Sequence, residues 1–493
     1  MSDILNKIIK HKRLEVDERI KSRSLESIKE NIEHSNRSLF SSIYEKSIIN
    51  NLPAYILECK KSSPSKGLIN RQFDLEAIVT IYDKYASCIS VLTDNYFFQG
   101  RFENLKRAKQ LTSLPILCKD FFIDSYQVYE ARYFGADAIL LMLSVLDNQT
   151  YQTLSQLASE LSLDVLTEVH DENELNRAIK LDAKIIGINN RNLKDLSISL
   201  TTTKSLAPQI NDHFDSSSNS DSNTKPLIIS ESGISSHSDI NQLSEIVDGF
   251  LVGSHLMASD NLEQSCKQLV FGNVKICGLT RREDIQESKR LGATYAGLIF
   301  YNQSKRSISL QTALTITNNI DINYVGVFVD EELDSIIDIA KKLKLFAVQL
   351  HGQENEHYIS LLKQTLPNTQ IWKAIPVTHD STSHSIISKI NQCSADKILL
   401  DTQIKIFGGS GKTFDWELLK FFDNQLDNNR KLKNDIILAG GLSDTNILDA
   451  EKIGCYMLDV NSGIETSAGL KSKSKIKNLF ANLAGRKENN EPF

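Results

Sequence analysis

The sequence predicts an α/β fold of two tandem (β/α)8 TIM barrels, and three observations predict it. Short apolar runs alternate with helix-period segments, eight such runs pass before the pattern restarts, and 493 residues suffice for two barrels of about 250. The first set of runs is AYILECK from Ala54, CISVLTD, LPILCKD, DAILLML, LDVLTEV, AKIIGINN, PLIISES and DGFLVGS. Between them, Asp74 to Tyr85, Ser125 to Phe134 and Glu172 to Leu181 carry the helical period that a parallel sheet needs for its crossovers. The second set is NVKICG, TYAGLIF, NYVGVFV, LFAVQLH, QIWKAI, KILLDT, DIILAGG and CYMLDVN. The expected domains are residues 1–258, with an extra N-terminal helix, and 259–493, joined through a helix between about Ser259 and Phe271.

Composition narrows the function classes. With 41% hydrophobic and 24% charged residues the chain reads as globular, and a net charge of −6 argues against a general nucleic-acid surface. A local basic pocket for a small phosphorylated metabolite remains compatible. The N-terminal stretch mixes both charge signs at helical spacing, lacks the apolar core of a leader peptide and reads as a surface-docked helix. With no apolar stretch of about 18 residues, no membrane span is expected, and a cytoplasmic monomer is. Seven scattered cysteines without CxxC or Cys/His ligand spacing predict neither a disulfide framework nor a metal site. The Ser/Asn-rich stretch from Asn211 to Lys225 reads as a disordered insertion on the face away from the chemistry, and GRKENNEPF as a frayed tail.

In such a barrel the catalytic groups project from the carboxyl ends of the strands. In the first half those ends carry Glu58, Lys60, Lys119, Glu168, Asn189 and Glu231, which would converge on one mouth. One lone Lys or Glu at a strand end is more often a solvated loop residue; six strand-end groups together point to a site. The loops after strands seven and eight carry Ser232-Gly233 and Gly253-Ser254, where backbone N–H groups favour a phosphate dianion.

In the second half Cys277 ends the first strand, and TRRE after it resembles a capping box with Thr280 as N-cap and Glu283 at N3. A helix N-terminus beside the thiol would lower its pKa and make it a base. A lone strand cysteine is more often core filler, but Asp401 ends the sixth strand at the same mouth, where it can act as the acid. Phosphate loops recur at Gly440-Gly441 and at Ser462-Gly463, with Gly409, Ser410 and Gly411 nearby. GGSGK lacks the GxxxxGK[ST] spacing, so a nucleotide P-loop is rejected.

The strings ILECKKSSPSKG, LPILCKDFFID, LTEVHDENE, GINNRNL, ISESGIS and FLVGSHLM make residues 1 to about 258 similar to indole-3-glycerol-phosphate synthase. That resemblance implies ring closure of a carboxyphenylamino-deoxyribulose 5-phosphate with loss of CO2 and water, and no metal or organic cofactor. It implies Lys119 as general acid, Glu168 in the later proton removal, Lys60 on the carboxylate or water loss, and Glu58 orienting the lysines. Asn189 and Glu231 would hydrogen-bond the substrate, Ser65 would join the phosphate loops, and Phe121 would pack on the anthranilate ring. Residues 273–484 resemble phosphoribosylanthranilate isomerase through VKICGLT, SKRSIS, VQLHG, LLDT, GGSGKTFDW, LAGGLS and LDVNSGIE. The implied reaction is an Amadori rearrangement, with Asp401 protonating the ring oxygen and Cys277 taking the sugar proton. Arg306 would hold the anthranilate carboxylate, Asp459 would support the sugar site, and His351 would be a pocket wall. QIKIF before GGSGK is unusually apolar for such a loop.

Two other classes share the fold. A sugar-phosphate epimerase or Schiff-base aldolase would use the same phosphate loops, and a decayed scaffold would bind without turnover. Borohydride trapping discriminates the aldolase, because the synthase reading forms no imine with Lys119.

Overall fold

The computed structural model describes residues 3–192, 195–216, 224–402, 413–419, 422, 426 and 430–484. The chain divides into two compact units, residues 1–269 and 270–493, with the helix Leu262–Phe271 at their junction.

Each unit is a closed eight-stranded parallel barrel in which every strand pairs with its sequence neighbours and the eighth closes on the first. The first comprises β1 (Ala54–Cys59), β2 (Cys88–Leu92), β3 (Ile116–Lys119), β4 (Ala138–Met142), β5 (Asp164–Val169), β6 (Ile185–Asn189), β7 (Leu227–Glu231) and β8 (Gly249–Val252). The second comprises β9 (Asn273–Ile276), β10 (Tyr295–Ile299), β11 (Asn323–Phe328), β12 (Ala347–Leu350), β13 (Gln370–Val377), β14 (Lys397–Thr402), β15 (Ile436–Leu438) and β16 (Met457–Val460). Closure pairs Ala54 with Gly249 in one barrel and Asn273 with Met457 in the other. All sixteen expected strands form.

Side chains alternate across a strand with a period of two, and this places the site. The first barrel's interior is filled by Ala54, Ile56, Leu117, Leu140, Leu166, Ile185, Ile229 and Leu251, among others. Two residues further along the same inward rows stand Glu58, Lys119, Glu168 and Glu231, and four beyond Ile185 stands Asn189. The second barrel repeats the rule: Tyr295, Val325, Ala347, Trp372, Leu399, Ile437 and Met457 pack the interior. Asp401 and Asp459 continue the rows of Leu399 and Met457.

Leu39 and Ile43 of the helix Leu39–Tyr44 pack on the first barrel's core. That helix is anchored by Asp164, whose Oδ2 accepts from Ser38 Oγ at 2.8 Å and Phe40 N at 3.0 Å. Helix α1 (Asp3–Ser22), expected merely to dock on the surface, buries Lys12 completely. Lys12 Nζ lies 2.8 Å from Asp94 Oδ2, 2.8 Å from Asp120 Oδ1 and 2.7 Å from Glu15 Oε2. Lys12→Met would leave two buried carboxylates without their cation, so a loss of about 3–5 kcal/mol is expected in denaturant unfolding of the first barrel. A loss below about 1 kcal/mol would mean that the triad carries no more than a surface pair.

The Ser-rich insertion needs correction. The helix Thr201–Ser216 continues through its first six residues, because the polar run begins on a helix whose inner face, with Leu206, Ala207 and Ile210, is already buried. Residues 217–223, Gly409, Ser410, Gly411, the QIKIF loop and the tail GRKENNEPF lie outside the described residues.

Candidate active sites

The mouth of the first barrel holds a cavity of about 520 Å³. Glu58, Lys60, Ser65, Lys119, Phe121, Glu168, Asn189, Glu231, Ser232, Gly233, Gly253 and Ser254 all line it, together with Ile4, Leu5 and Ile8 of α1. Lys119 is the electrostatic centre: its Nζ lies 2.5 Å from Glu231 Oε2 and 3.7 Å from Glu168 Oε2. Burial works against its charge, but Glu231, Glu168 and Glu58 outweigh burial and raise its pKa. Lys60 pairs with Glu58 at the end of β1.

The two carboxylates around Lys119 are driven apart. Burial raises both, but His170, Lys119 and Asn189 pull Glu168 down. Glu231 stays raised, since burial and the neighbouring Glu168 charge exceed the help from Lys119. Glu231 Oε1 has no hydrogen-bond partner among the described residues. One carboxylate is therefore held as an anion while the other keeps a proton more readily. His170, at 3.2 Å from Glu168 Oε1 and 3.1 Å from Glu174 Oε2, is desolvated, yet these two carboxylates raise its pKa to about 10.

The loop after β7 has consecutive positive φ angles, 65° at Ser232 and 83° at Gly233. A serine there is strained by about 1–3 kcal/mol. Asn190 offsets this by donating through Nδ2 to Glu231 O and Ser232 O, both at 3.0 Å, while its Oδ1 accepts from Thr203 N. Gly253 has a second reason to be glycine: a Cβ there would lie 2.4 Å from Glu58 Oε1. Residue-by-residue reading of the sequence overlooked Arg191, which lines the cavity, and His170 and Asn190, which orient its walls. All three stand in strings quoted above, TEVH and GINNR.

In the second barrel Cys277 is buried, and the expected capping box is absent. Thr280 Oγ1 donates instead to Gly469 O at 2.6 Å, and the helix starts at Arg282 with Arg281 as its uncapped N-cap. A long-range carbonyl has taken the hydroxyl that the local pattern assigned to the helix. The cation beside the thiol is Lys275, with Nζ 3.4 Å from Cys277 Sγ and 2.7 Å from Asp459 Oδ2. Burial still raises the thiol pKa; Lys275 and Lys471 oppose it.

Asp401 is raised to about 6, first by burial and then by the Asp459 carboxylate. His351 is driven down to about 3 by burial and by Lys275 and Lys373, so its ring is neutral. Arg306 donates from Nε and Nη2 to Glu465 at 2.9 and 2.7 Å, so an internal carboxylate occupies one edge of its guanidinium. Gly440 and Gly441 have φ of 86° and 71°, a left-handed turn that favours glycine, and a Cβ on Gly440 would meet Asp401 Oδ1 at 2.8 Å. Ser462 and Gly463 begin the short 3-10 turn after β16, where the Gly463 Cα approaches Leu442 O too closely for a side chain.

Comparison with known proteins agrees with this division. Residues 5–269 match the family model described as indole-3-glycerol phosphate synthase, and residues 274–482 that of N-(5'phosphoribosyl)anthranilate (PRA) isomerase. The tryptophan biosynthesis protein TrpCF of Haemophilus influenzae is 45% identical over 97% of this chain and 97% of its own length. That of Buchnera aphidicola subsp. Diuraphis noxia is 46% identical over 97% and 98%. Among solved structures, a phosphoribosyl anthranilate isomerase from Thermotoga maritima covers 43% of this chain and 98% of its own at 36% identity, with a TM-score of 0.38. With both barrels matched in order and nearly whole lengths aligned, the chain belongs to the bifunctional TrpCF family, which joins an indole-3-glycerol phosphate synthase to a phosphoribosylanthranilate isomerase.

Proposed function

We propose that the second barrel opens the furanose ring of N-(5-phosphoribosyl)anthranilate and passes a carboxyphenylamino-deoxyribulose 5-phosphate to the first, which cyclises it to indole-3-glycerol phosphate. Asp401 protonates the ring oxygen, Cys277 removes the proton from the adjacent sugar carbon, and Asp459 borders the sugar. Gly440, Gly441, Ser462 and Gly463 take the phosphate, and the second edge of Arg306 meets the anthranilate carboxylate. In the first barrel Lys119 protonates the ketone as the ring closes, Lys60 neutralises the departing carboxylate, and Glu58 orients Lys60. Glu168, held ionised, is the base in the later proton removal; Asn189 and Glu231 hydrogen-bond the sugar hydroxyls. Phe121 packs on the aromatic ring, with Ser65, Ser232, Gly233, Gly253 and Ser254 around the phosphate.

The observation that carries this reading is the Glu231–Lys119–Glu168 cluster in a cavity of about 520 Å³, with a positive-φ loop at one side. A cation between two carboxylates of opposite tendency supplies acid and base within one pocket. The two barrels are proposed to act in one cytoplasmic, monomeric chain without nucleic acid, with residues 1–258 and 259–493 as the two catalytic domains. A crystal structure with the reduced carboxyphenylamino-deoxyribitol phosphate is expected to show its phosphate on the backbone N–H groups of Gly233 and Ser254. A phosphate bound away from these loops would overturn the assignment.

A further inference from the structure

Among the described residues, Lys275 donates the hydrogen bond that reaches the Cys277 thiol, and it has no role in the account above. It stands two residues before Cys277, so both side chains face the barrel interior. Its side chain is fully buried. Its Nζ lies 2.7 Å from Asp459 Oδ2, 2.8 Å from Gln349 Oε1 and 3.4 Å from Cys277 Sγ. An ammonium has three N–H donors and no acceptor, so these contacts use all of them. Sulfur must meet the third with a lone pair, which is the arrangement a thiolate completes.

We propose that Lys275 is a positioning residue for the isomerisation, holding Cys277 Sγ in place and stabilising the thiolate that takes the sugar proton. This rests on the reading of Cys277 as the base. In that step, on the iminium left by ring opening, the adjacent C–H bond breaks and an S–H bond forms, the C–H pair becomes the new carbon–carbon double bond of the enolamine, and the C=N π pair moves onto the anilino nitrogen. Lys275 thus does what the sequence pattern assigned to a helix N-terminus, which in the folded protein begins five residues beyond the thiol.

The surroundings agree. Gly297 on β10 provides the room: a Cβ there would lie 2.7 Å from Cys277 Sγ and 2.9 Å from Lys275 Cε. Of the other charged groups near the sulfur, Lys471 favours the thiolate and Asp459 opposes it. Lys471 is itself engaged by Asn461 and Glu465, and Arg306 is held by the same Glu465. Asp401 continues the inward row of β14, and His351 on the β12 side is neutral. Only Lys275 places a cation in contact with the sulfur among the described residues.

The test uses the full chain as wild type, Lys275→Met and Lys275→Met/Asp459→Asn. The double variant removes the carboxylate that the first change leaves buried without its cation. Alkylation of Cys277 by iodoacetamide is followed against pH by peptide mass spectrometry, with circular dichroism reporting the fold. Lys275→Met is expected to move the alkylation midpoint up by about one pH unit or more, and to slow isomerisation at neutral pH about tenfold for each unit. The double variant, which also loses the carboxylate that opposes the thiolate, is expected to move the midpoint up by less. Lys275→Gln, which keeps a polar head without charge, gives the same readout where methionine prevents folding. An unchanged midpoint in folded Lys275→Met or Lys275→Gln overturns the proposal, even if activity falls. Full isomerase turnover by Cys277→Ser instead overturns the reading of the base, whatever the midpoint.

Discussion

Replacing Lys119 by Met is expected to lower indole product formation by about 10²–10⁴ in kcat, with the carboxyphenylamino intermediate accumulating. The size follows from the site's charge balance. Lys119 is the cation between Glu168 and Glu231, and Lys60 is occupied by Glu58. Without Lys119 the proton donor for the ketone is lost, and Glu231, already raised by burial and by the Glu168 charge, rises further. The pocket loses its central cation, leaving Glu231, among the described residues, without an ionic partner beside a Glu168 that keeps only the His170 cation, facing a phosphorylated substrate. Single-turnover assays on the isolated intermediate check this, and isomerisation in the other barrel should be unaffected. A loss confined to KM would mean that Lys119 binds the substrate without donating a proton.

Asp401→Asn is expected to cost the isomerase about 10²–10⁴ in kcat/KM, and to remove the inflection near pH 6 from its pH profile. The sign follows from the two pKa directions. Asp401 sits at about 6 and the Cys277 thiol above its ordinary value, so the first proton to leave as pH rises is the carboxyl's. The working state, protonated acid with thiolate base, is then the minor tautomer of the singly protonated pair. Its population climbs as pH rises through about 6 and falls again as pH passes the thiol pKa. Wild-type kcat/KM should therefore show an acid limb near 6; with asparagine only the thiol titrates, so the inflection near 6 is lost and the rate instead rises with pH through the thiol pKa. An inflection near pH 6 that survives in Asp401→Asn would assign it to another group.

Most of the fold was legible because parallel barrel strands are buried on both faces and read as apolar runs, and the restart at NVKICG is a repeat no single barrel would give. The first barrel's charged residues were legible for the same reason: Glu58, Lys119, Glu168 and Glu231 interrupt apolar rows at the strand ends. What escaped depends on partners distant in the chain. Thr280 looks like an N-cap until Gly469 O, 189 residues on, takes its hydroxyl. Lys12 reads as one more surface lysine of an amphipathic helix until Asp94 and Asp120 enclose it. Lys275 carries no signal of its role in the sequence, since no local pattern reports that Asp459 and Gln349 wait for its ammonium inside the barrel. The helix through Ser216 escaped for a local reason, because polar composition hides a helix whose buried face precedes it.

The central claim is a division of labour between two barrels, and one assay tests it most directly. Wild type, Lys119→Ala and Cys277→Ala are each given freshly made phosphoribosylanthranilate, and loss of anthranilate fluorescence is followed alongside appearance of indole-3-glycerol phosphate. Wild type should reach the indole product, Lys119→Ala should stop at the carboxyphenylamino intermediate, and Cys277→Ala should leave the starting compound unchanged yet convert added intermediate. Failure of the wild type to form the indole product from the intermediate itself, or full two-step turnover by either variant, would contradict the account.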